Sequence, residues 1–191
     1  MNYLIEQLCK KINQSTLLTS PWPHIRIPNF LPLPLYEEML EQHNSVNWSR
    51  LWEIESSWGT IRYDGPCDPE NWDTFNALAS KPFYNAICNK FNISNIEFET
   101  VQRFKLDDET NSLQVPHRDS SISMMTLQIF LQPESYVDGG TVLMSSETDE
   151  AEELALQPNF CNIFLNTDDS WHTVNQRGYV RKSMVQRWTK V

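Results

Sequence analysis

The sequence predicts a mainly β domain with flanking helices: a helical and loop support region over residues 1–95 and a β core over 96–191. Three observations predict it. From about residue 96 the apolar pattern changes to alternation and short apolar runs divided by turn residues, the signature of strands. Before that point, apolar residues recur at helical spacing between Pro- and Trp-rich stretches. The chain has 191 residues and 40% hydrophobic content, enough to bury one core without disulfide staples.

In "MNYLIEQLCKKINQS", Leu4, Ile5, Leu8 and Ile12 fall on one helical face. The segment lacks the long apolar run of a signal peptide or membrane span. "SPWPHIRIPNFLPLPL" (20–35) holds five prolines, which exclude helix interior and favour extended or turn structure. A helix follows in "LYEEMLEQH". "RLWEIESSWGTIRYDGPCDPENW" (50–72) reads as a long ordered loop with a short strand at "GTIRY". "NWDTFNALAS" and "KPFYNAICNKF" read as two further helices.

The strand candidates are "IEFETVQRF", "SMMTLQIFL", "GTVLM", "CNIFLN", "SWHTV" and "YVRKSMVQRW", with "DGG" and "RG" as turns between some of them. In the first, Phe98, Thr100, Gln102 and Phe104 share one face and charged residues take the other. The acidic run "SSETDEAEELA" (145–155) reads as a solvated loop or short helix. This many short strands predicts an antiparallel sandwich or small barrel with helices on one side.

Charge narrows the partners. With 25 acidic and 15 basic residues the formal net charge is −10, and no basic stripe is evident. Such a surface repels phosphate backbones, which speaks against nucleic acid as a partner. No membrane segment is expected. Cys9, Cys67, Cys88 and Cys161 form no C-x-x-C pair, which fits free thiols and a cytoplasmic location.

The chemistry is concentrated in "PHRDS" (116–120) and "DDSWHTVNQRGYVRKS" (168–183). In an extended segment, residues two apart project to the same face, so His117 and Asp119 can offer a nitrogen and an oxygen to one metal ion. His172 lies 53 residues after Asp119 (172 − 119) on a strand candidate. Two imidazoles and one carboxylate make the facial triad of non-haem Fe(II) sites, which leaves coordination positions open. Nine residues after His172 comes Arg181, then Ser183 at the same strand parity. An arginine fork with a hydroxyl is suited to gripping a carboxylate.

At these residues the chain resembles the Fe(II)/2-oxoglutarate-dependent oxygenases, closest to the prolyl hydroxylase-like branch. The likeness covers roughly residues 96–190. It rests on the order His-x-Asp, "TLQIFLQ", "DGGTVLM", "LQPNFCNIFLN", "WHTV" and R-x-S. The resemblance implies a double-stranded β-helix (jelly-roll) core. It implies Fe(II) held by His117, Asp119 and His172, with 2-oxoglutarate and O2 as cosubstrates. It implies that Arg181 pairs with the distal 2-oxoglutarate carboxylate and that Ser183 adds a hydrogen bond. Thr126 and Gln128 are candidates to face the cosubstrate or substrate. The reaction so implied hydroxylates a small molecule such as an amino acid, or a peptide side chain, and releases succinate and CO2. Relatives that halogenate have lost the carboxylate that Asp119 retains.

The sequence departs from the family pattern in two places. A tyrosine often helps to bind 2-oxoglutarate from the strand before the first ligand, whereas "VQRFKL" offers Phe104; Gln128 and Arg103 are the candidate replacements. A turn glycine is replaced by Asn159 in "QPNF", a residue that tolerates the left-handed conformation.

Trp52, Trp58, Arg62 and Tyr63 are candidates for a substrate lid, with Arg62 reading an anionic group. Arg118, between two ligands, points away from the metal and either caps the entrance or is solvated. Trp171 reads as core, and His24 and His43 as ordinary surface residues. Two alternatives stay open: a non-catalytic cupin-like metal-binding barrel, and an oxygenase acting on nucleic acid. Arg181 and Ser183 speak against the first, since a bare metal site needs no carboxylate clamp. The net charge speaks against the second.

Overall fold

The computed structural model describes residues 1–46, 53–55, 61–66, 73–107, 115–119, 122–174 and 180–191, with the backbone alone for 53–55, 61–66 and 107. In chain order these form α1 (Asn2–Gln14), β1 (Leu17–Leu18), β2 (His24–Ile27), α2 (Leu33–Ser45), β3 (Glu53–Glu55), β4 (Ile61–Pro66), α3 (Asp73–Ala79) and α4 (Lys81–Phe91). The strands β5 (Phe98–Asp107), β6 (Ser123–Phe130), β7 (Tyr136–Met144), β8 (Glu150–Leu156), β9 (Cys161–Leu165), β10 (His172–Thr173) and β11 (Arg181–Lys190) follow. No described helix is long and apolar enough to cross a membrane.

The helices form where the apolar spacing placed them. α1 buries Leu4, Leu8 and Ile12 on one face. In α4, the Ser80 hydroxyl caps the start by accepting from Phe83 N, Pro82 sits where no amide partner is needed, and Asn92 ends the helix in the left-handed conformation.

Eight strands make the major sheet, in the order β1-β2-β9-β6-β11-β5-β4-β3, and three make the minor sheet, β10-β7-β8. All these pairs are antiparallel. Residue parity divides the major sheet. Met125, Leu127, Ile129, Ile163, Met184 and Trp188 face the helices in one large core. Their neighbours Thr126, Gln128, Asn162, Phe164, Ser183 and Val185 are buried on the other face, between the sheets.

Several expectations change. The 50–72 stretch is not one long loop: β3 and β4 form a hairpin, and β4 pairs with β5, so it extends the sheet edge. Its strand does include the expected "IRY". The acidic run holds strand β8: Leu154 and Leu156 are buried and alternate with half-buried Glu153 and Ala155, while the first three residues, Glu150 to Glu152, stay exposed. Glu152 there takes both Arg26 guanidinium nitrogens, at 2.7 and 2.9 Å. "DGG" is no turn. It lies within β7, where the register shifts on either side of Gly139 (φ 79°) and make a bulge. Gly140 follows because a Cβ there would meet the Leu154 carbonyl oxygen at 2.2 Å. "RG" falls outside the described residues.

His24 and His43 are buried, not on the surface. His24 lies edge-on to Trp22 at 5.5 Å and bonds its carbonyl. His43 donates Nε2–H to the Lys105 carbonyl at 2.9 Å and packs edge-on against Phe104. Asn159 does take the left-handed conformation (φ 53°).

Candidate metal centre

Backbone pairing brings the two histidines together across 55 residues of chain. His117 and His172 form an isolated antiparallel bridge, exchanging N–H···O bonds of 3.0 and 2.9 Å. Directly opposed residues project to one face, and the two ring centroids lie 4.4 Å apart. β10 is itself held by β7, where His172 pairs with Leu143. Asp119 joins from two residues beyond His117. The candidate ligand atoms of the three residues all lie within 4.8 Å of one another, and no other such group of three or more is found among the described residues.

The surroundings fix what each ligand presents. His117 Nδ1 lies 3.0 Å from the Val115 carbonyl, and His172 Nδ1 lies 2.9 Å from the Ser170 carbonyl. A carbonyl only accepts, so each Nδ1 carries a proton, and the neutral ring then presents its Nε2 lone pair, the form a metal requires. Asp119 accepts from Thr126 Oγ1 at 2.7 Å on Oδ2 and from Arg187 Nη2 at 2.6 Å on Oδ1. Burial raises the Asp119 carboxyl, but Arg187, His172, Thr126 and Lys105 outweigh that and hold it at about 2. It is therefore ionised at neutral pH. Asn166 Nδ2 donates to both Ser123 Oγ (2.7 Å) and Thr126 Oγ1 (3.2 Å), which leaves the Thr126 proton for Asp119.

Behind the triad is an inner cavity lined by His117, Asp119, His172, Gln128, Thr141 and Arg181, among others. Arg181 is buried; its Nη2 donates to Thr141 Oγ1 at 3.1 Å, and its guanidinium lies 5.2 Å over the Phe130 ring. Gln128 Oε1 accepts from Thr141 at 2.9 Å, and Gln128 Nε2 makes a long 3.5 Å contact to Ser183 Oγ. Ser183 is fully buried. On the outer side, His117 and Asp119 open onto a cleft of about 620 Å³ with Arg118, Glu147, Asp168 and Trp171 in its walls.

The residues singled out from the sequence thus separate into groups. His117, Asp119 and His172 converge, and Arg181 and Gln128 line the cavity behind them, with Ser183 buried beside Gln128 rather than in the cavity wall. Thr126 lines the inner cavity, and its hydroxyl donates to Asp119, so it also orients a ligand. Arg118 turns away from the ligands, lies 4.7 Å over the Trp171 ring and donates to the Asp168 carbonyl at 2.9 Å. Trp171 is accordingly a cleft wall rather than core. Trp52 and Trp58 lie outside the described residues. Of Arg62 and Tyr63 only the backbone is described, with Arg62 opposite Ile54 and Asp107.

Phe104 faces the helices, against Phe75 and His43, so the missing tyrosine hydroxyl is not replaced there. The inward residue is its neighbour Lys105, buried in the inner-cavity wall and opposite Ser183 in the β5–β11 register. Sequence reasoning missed Lys105. The signal was its parity with Arg103, opposite the Phe98–Phe104 face.

No protein-family model matches the sequence, and no curated relative does. Solved structures do match over nearly the whole chain. A Pseudomonas putida prolyl-4-hydroxylase aligns with a TM-score of 0.67 at 16% identity, over 98% of this chain and 99% of that one. A prolyl hydroxylase from Trichoplax adhaerens, solved with a hypoxia inducible factor oxygen degradation domain peptide fragment, gives 0.66 at 12% identity, over 98% and 90%. The epimerase SnoN of nogalamycin biosynthesis, solved with Fe3+, alpha ketoglutarate and nogalamycin RO, gives 0.63 at 14%, over 100% and 85%.

The chain has the double-stranded β-helix fold of the 2-oxoglutarate–Fe(II) oxygenases.

Within the oxygenase fold, these residues fit a divalent metal on their own chemistry. Two imidazoles with pinned Nδ1–H groups, whose neutral form offers Nε2, and one ionised carboxylate are a complete nitrogen/oxygen donor set, each ligand oriented by a neighbour. The inner cavity has the chemistry for a carboxylate, since it places Arg181 and Lys105 in one buried space with hydroxyl and amide donors, but its volume is about 30 Å³, so side chains must move to admit a dicarboxylate.

Proposed function

We propose that the chain is an Fe(II)- and 2-oxoglutarate-dependent oxygenase that hydroxylates a small molecule such as an amino acid, or a peptide side chain. One observation carries the reading. A His/Asp/His donor set with both Nδ1 atoms pinned stands at the mouth of a buried cavity that contains Arg181 and Lys105. A structural metal site has no use for buried cations behind it.

When bound, Fe(II) and 2-oxoglutarate supply an O2-dependent oxidation in which the cosubstrate becomes succinate and CO2 and the substrate gains one oxygen atom. The protein's part is binding and orientation. His117, Asp119 and His172 would hold the metal, and the cleft beside His117 and Asp119 gives a substrate access to it. Thr126 and Arg187 keep Asp119 ionised and fix its oxygens. Arg181, braced by Thr141 and Phe130, takes the distal carboxylate of the cosubstrate, and Ser183 and Gln128 add hydrogen bonds. Lys105 supplies the second polar contact that the family pattern places on a tyrosine hydroxyl.

The test is succinate formation by anaerobically iron-loaded protein on admission of O2, with 2-oxoglutarate and a panel of amino acids and peptides. The expected result is slow succinate release alone, stimulated by one class of substrate whose mass rises by one oxygen atom. If 2-oxoglutarate neither binds nor turns over, the reading is wrong.

A further inference from the structure

A second groove opens on the inward face of the major sheet. Its walls are Val101, Arg103 and Lys105 of β5, Val185, Arg187 and Thr189 of β11, and Ile122 with Ser123 at the start of β6; its volume is about 180 Å³. It shares Lys105, Val185 and Arg187 with the inner cavity, so the two adjoin. The contact between them is short: Arg187 Nη2 touches the ligand carboxylate of Asp119 at 2.6 Å.

The groove segregates charge. In a chain with 25 acidic and 15 basic residues, its described lining holds three bases and no acid. The cleft on the far side of His117 and Asp119 has the opposite balance, Glu147 and Asp168 against Arg118. Arg187 also has donor capacity in hand. A guanidinium carries five N–H groups; one is used on Asp119, and the buried Nε–H has no hydrogen-bond partner. The side chain is 35% exposed, so it is the terminal N–H groups not used on Asp119 that a ligand in the groove can reach. The rest of the wall, Val101, Ile122 and Val185, is aliphatic.

We propose that this groove is the substrate subsite and that it takes a small aliphatic carboxylate, with Arg187 and Arg103 holding the anionic end. This deepens the oxygenase reading and rests on it. Arg187 then has two roles: it steadies Asp119 with one edge and reads the substrate with the rest. A carboxylate bound there lies beside the metal ligands, with its aliphatic body against the valines. Neutral and cationic analogues of the same shape leave the Arg187 donors unmatched and are rejected.

The test uses three probes of similar shape: 4-methylpentanoate, its neutral amide 4-methylpentanamide, and the cation isopentylamine. Each is titrated by calorimetry into the full chain loaded with Mn(II) and saturating 2-oxoglutarate, so that the cosubstrate site cannot take the acid. The expected result is binding of the acid at least about tenfold tighter than the amide, with no binding of the amine. Arg103→Gln and Arg187→Gln should each weaken the acid by about tenfold or more. Should Arg187→Gln fail to fold, the acid-against-amide preference of the unaltered protein and the Arg103→Gln result decide. Equal binding of acid and amide, no binding of the acid, or full affinity in the Arg103→Gln protein overturns the proposal. Failure of 2-oxoglutarate to bind the Mn(II)-loaded protein in the first titration overturns the oxygenase reading as well, so the two failures are distinguishable.

Discussion

Arg181→Ala is the perturbation that most sharply separates a cosubstrate clamp from an ordinary buried arginine. The side chain is 5% exposed, so a carboxylate bound against it is desolvated and little screened. It is also held in place before any ligand arrives, by the 3.1 Å bond to Thr141 and the 5.2 Å approach to the Phe130 ring. Little ordering is then needed on binding, and truncation forfeits the full interaction. Leaving a desolvated carboxylate without its cation costs about 2–4 kcal/mol, roughly 30- to 1000-fold in affinity. Lys105 in the same cavity keeps the loss from going further. Arg181→Lys, which keeps the charge but loses the fork, should fall between. Thr141→Val removes one neutral hydrogen bond and should cost only about 0.5–1.5 kcal/mol. The assay is calorimetric titration of 2-oxoglutarate into Mn(II)-loaded protein, with near-ultraviolet circular dichroism to confirm folding. Metal binding should survive in all three variants. A folded Arg181→Ala protein with unaltered 2-oxoglutarate affinity would refute the clamp.

Two further predictions concern the scaffold. Burial pushes the His43 imidazole from 6.5 down to about 4; its bond to the Lys105 carbonyl opposes the shift, and Lys182 reinforces it. Below about pH 6.5 the unfolded chain therefore takes up a proton that the folded chain refuses, so stability falls as pH drops and levels below about pH 4, by ~3 kcal/mol in total. Melting temperatures of wild type and His43→Gln between about pH 7 and pH 5 check this; the variant should lack that part of the slope. Gly140→Ala drives a Cβ to 2.2 Å from the Leu154 carbonyl oxygen and must separate β7 from β8. It should cost about 1–3 kcal/mol, or roughly 2–4 °C of melting temperature per kcal/mol. Because Thr141 follows on the same strand, 2-oxoglutarate affinity should fall with it; an unchanged melt would mean the close approach does not exist.

How far the sequence could be read follows from what a local pattern records. α4 was legible to the residue because its cap, its proline and its apolar stripe all agree. The order His117, Asp119, His172, Arg181, Ser183 was legible because ligand type and strand parity survive in one dimension. What parity cannot say is which faces meet solvent. β5 shows Phe98 and Phe104 on one side and Arg103 and Lys105 on the other, and amphipathic logic sends the charged side outward. In a two-layer sandwich that side turns inward toward the end of the strand, so Lys105 is buried there while Arg103 stays exposed. The same limit hid His43, which lies on an otherwise polar helix turn and is covered only when β5 packs beneath it. The acidic run was misread for the reverse reason. Its glutamates dominate the composition, while strand β8 is specified by two leucines at alternating positions. Thr126 was placed on the inner face, but its bond to Asp119 was not legible, because the segment carrying Asp119 folds back onto β6 only in three dimensions.

The most direct test of the metal centre, on which the oxygenase reading stands, is metal stoichiometry. Equilibrium dialysis against Co(II), followed by metal analysis, should give one ion per chain for the wild type and none for a His117→Ala/His172→Ala double variant that retains its near-ultraviolet circular dichroism. Undiminished stoichiometric Co(II) binding by the folded double variant would contradict the assignment of the centre and everything built upon it.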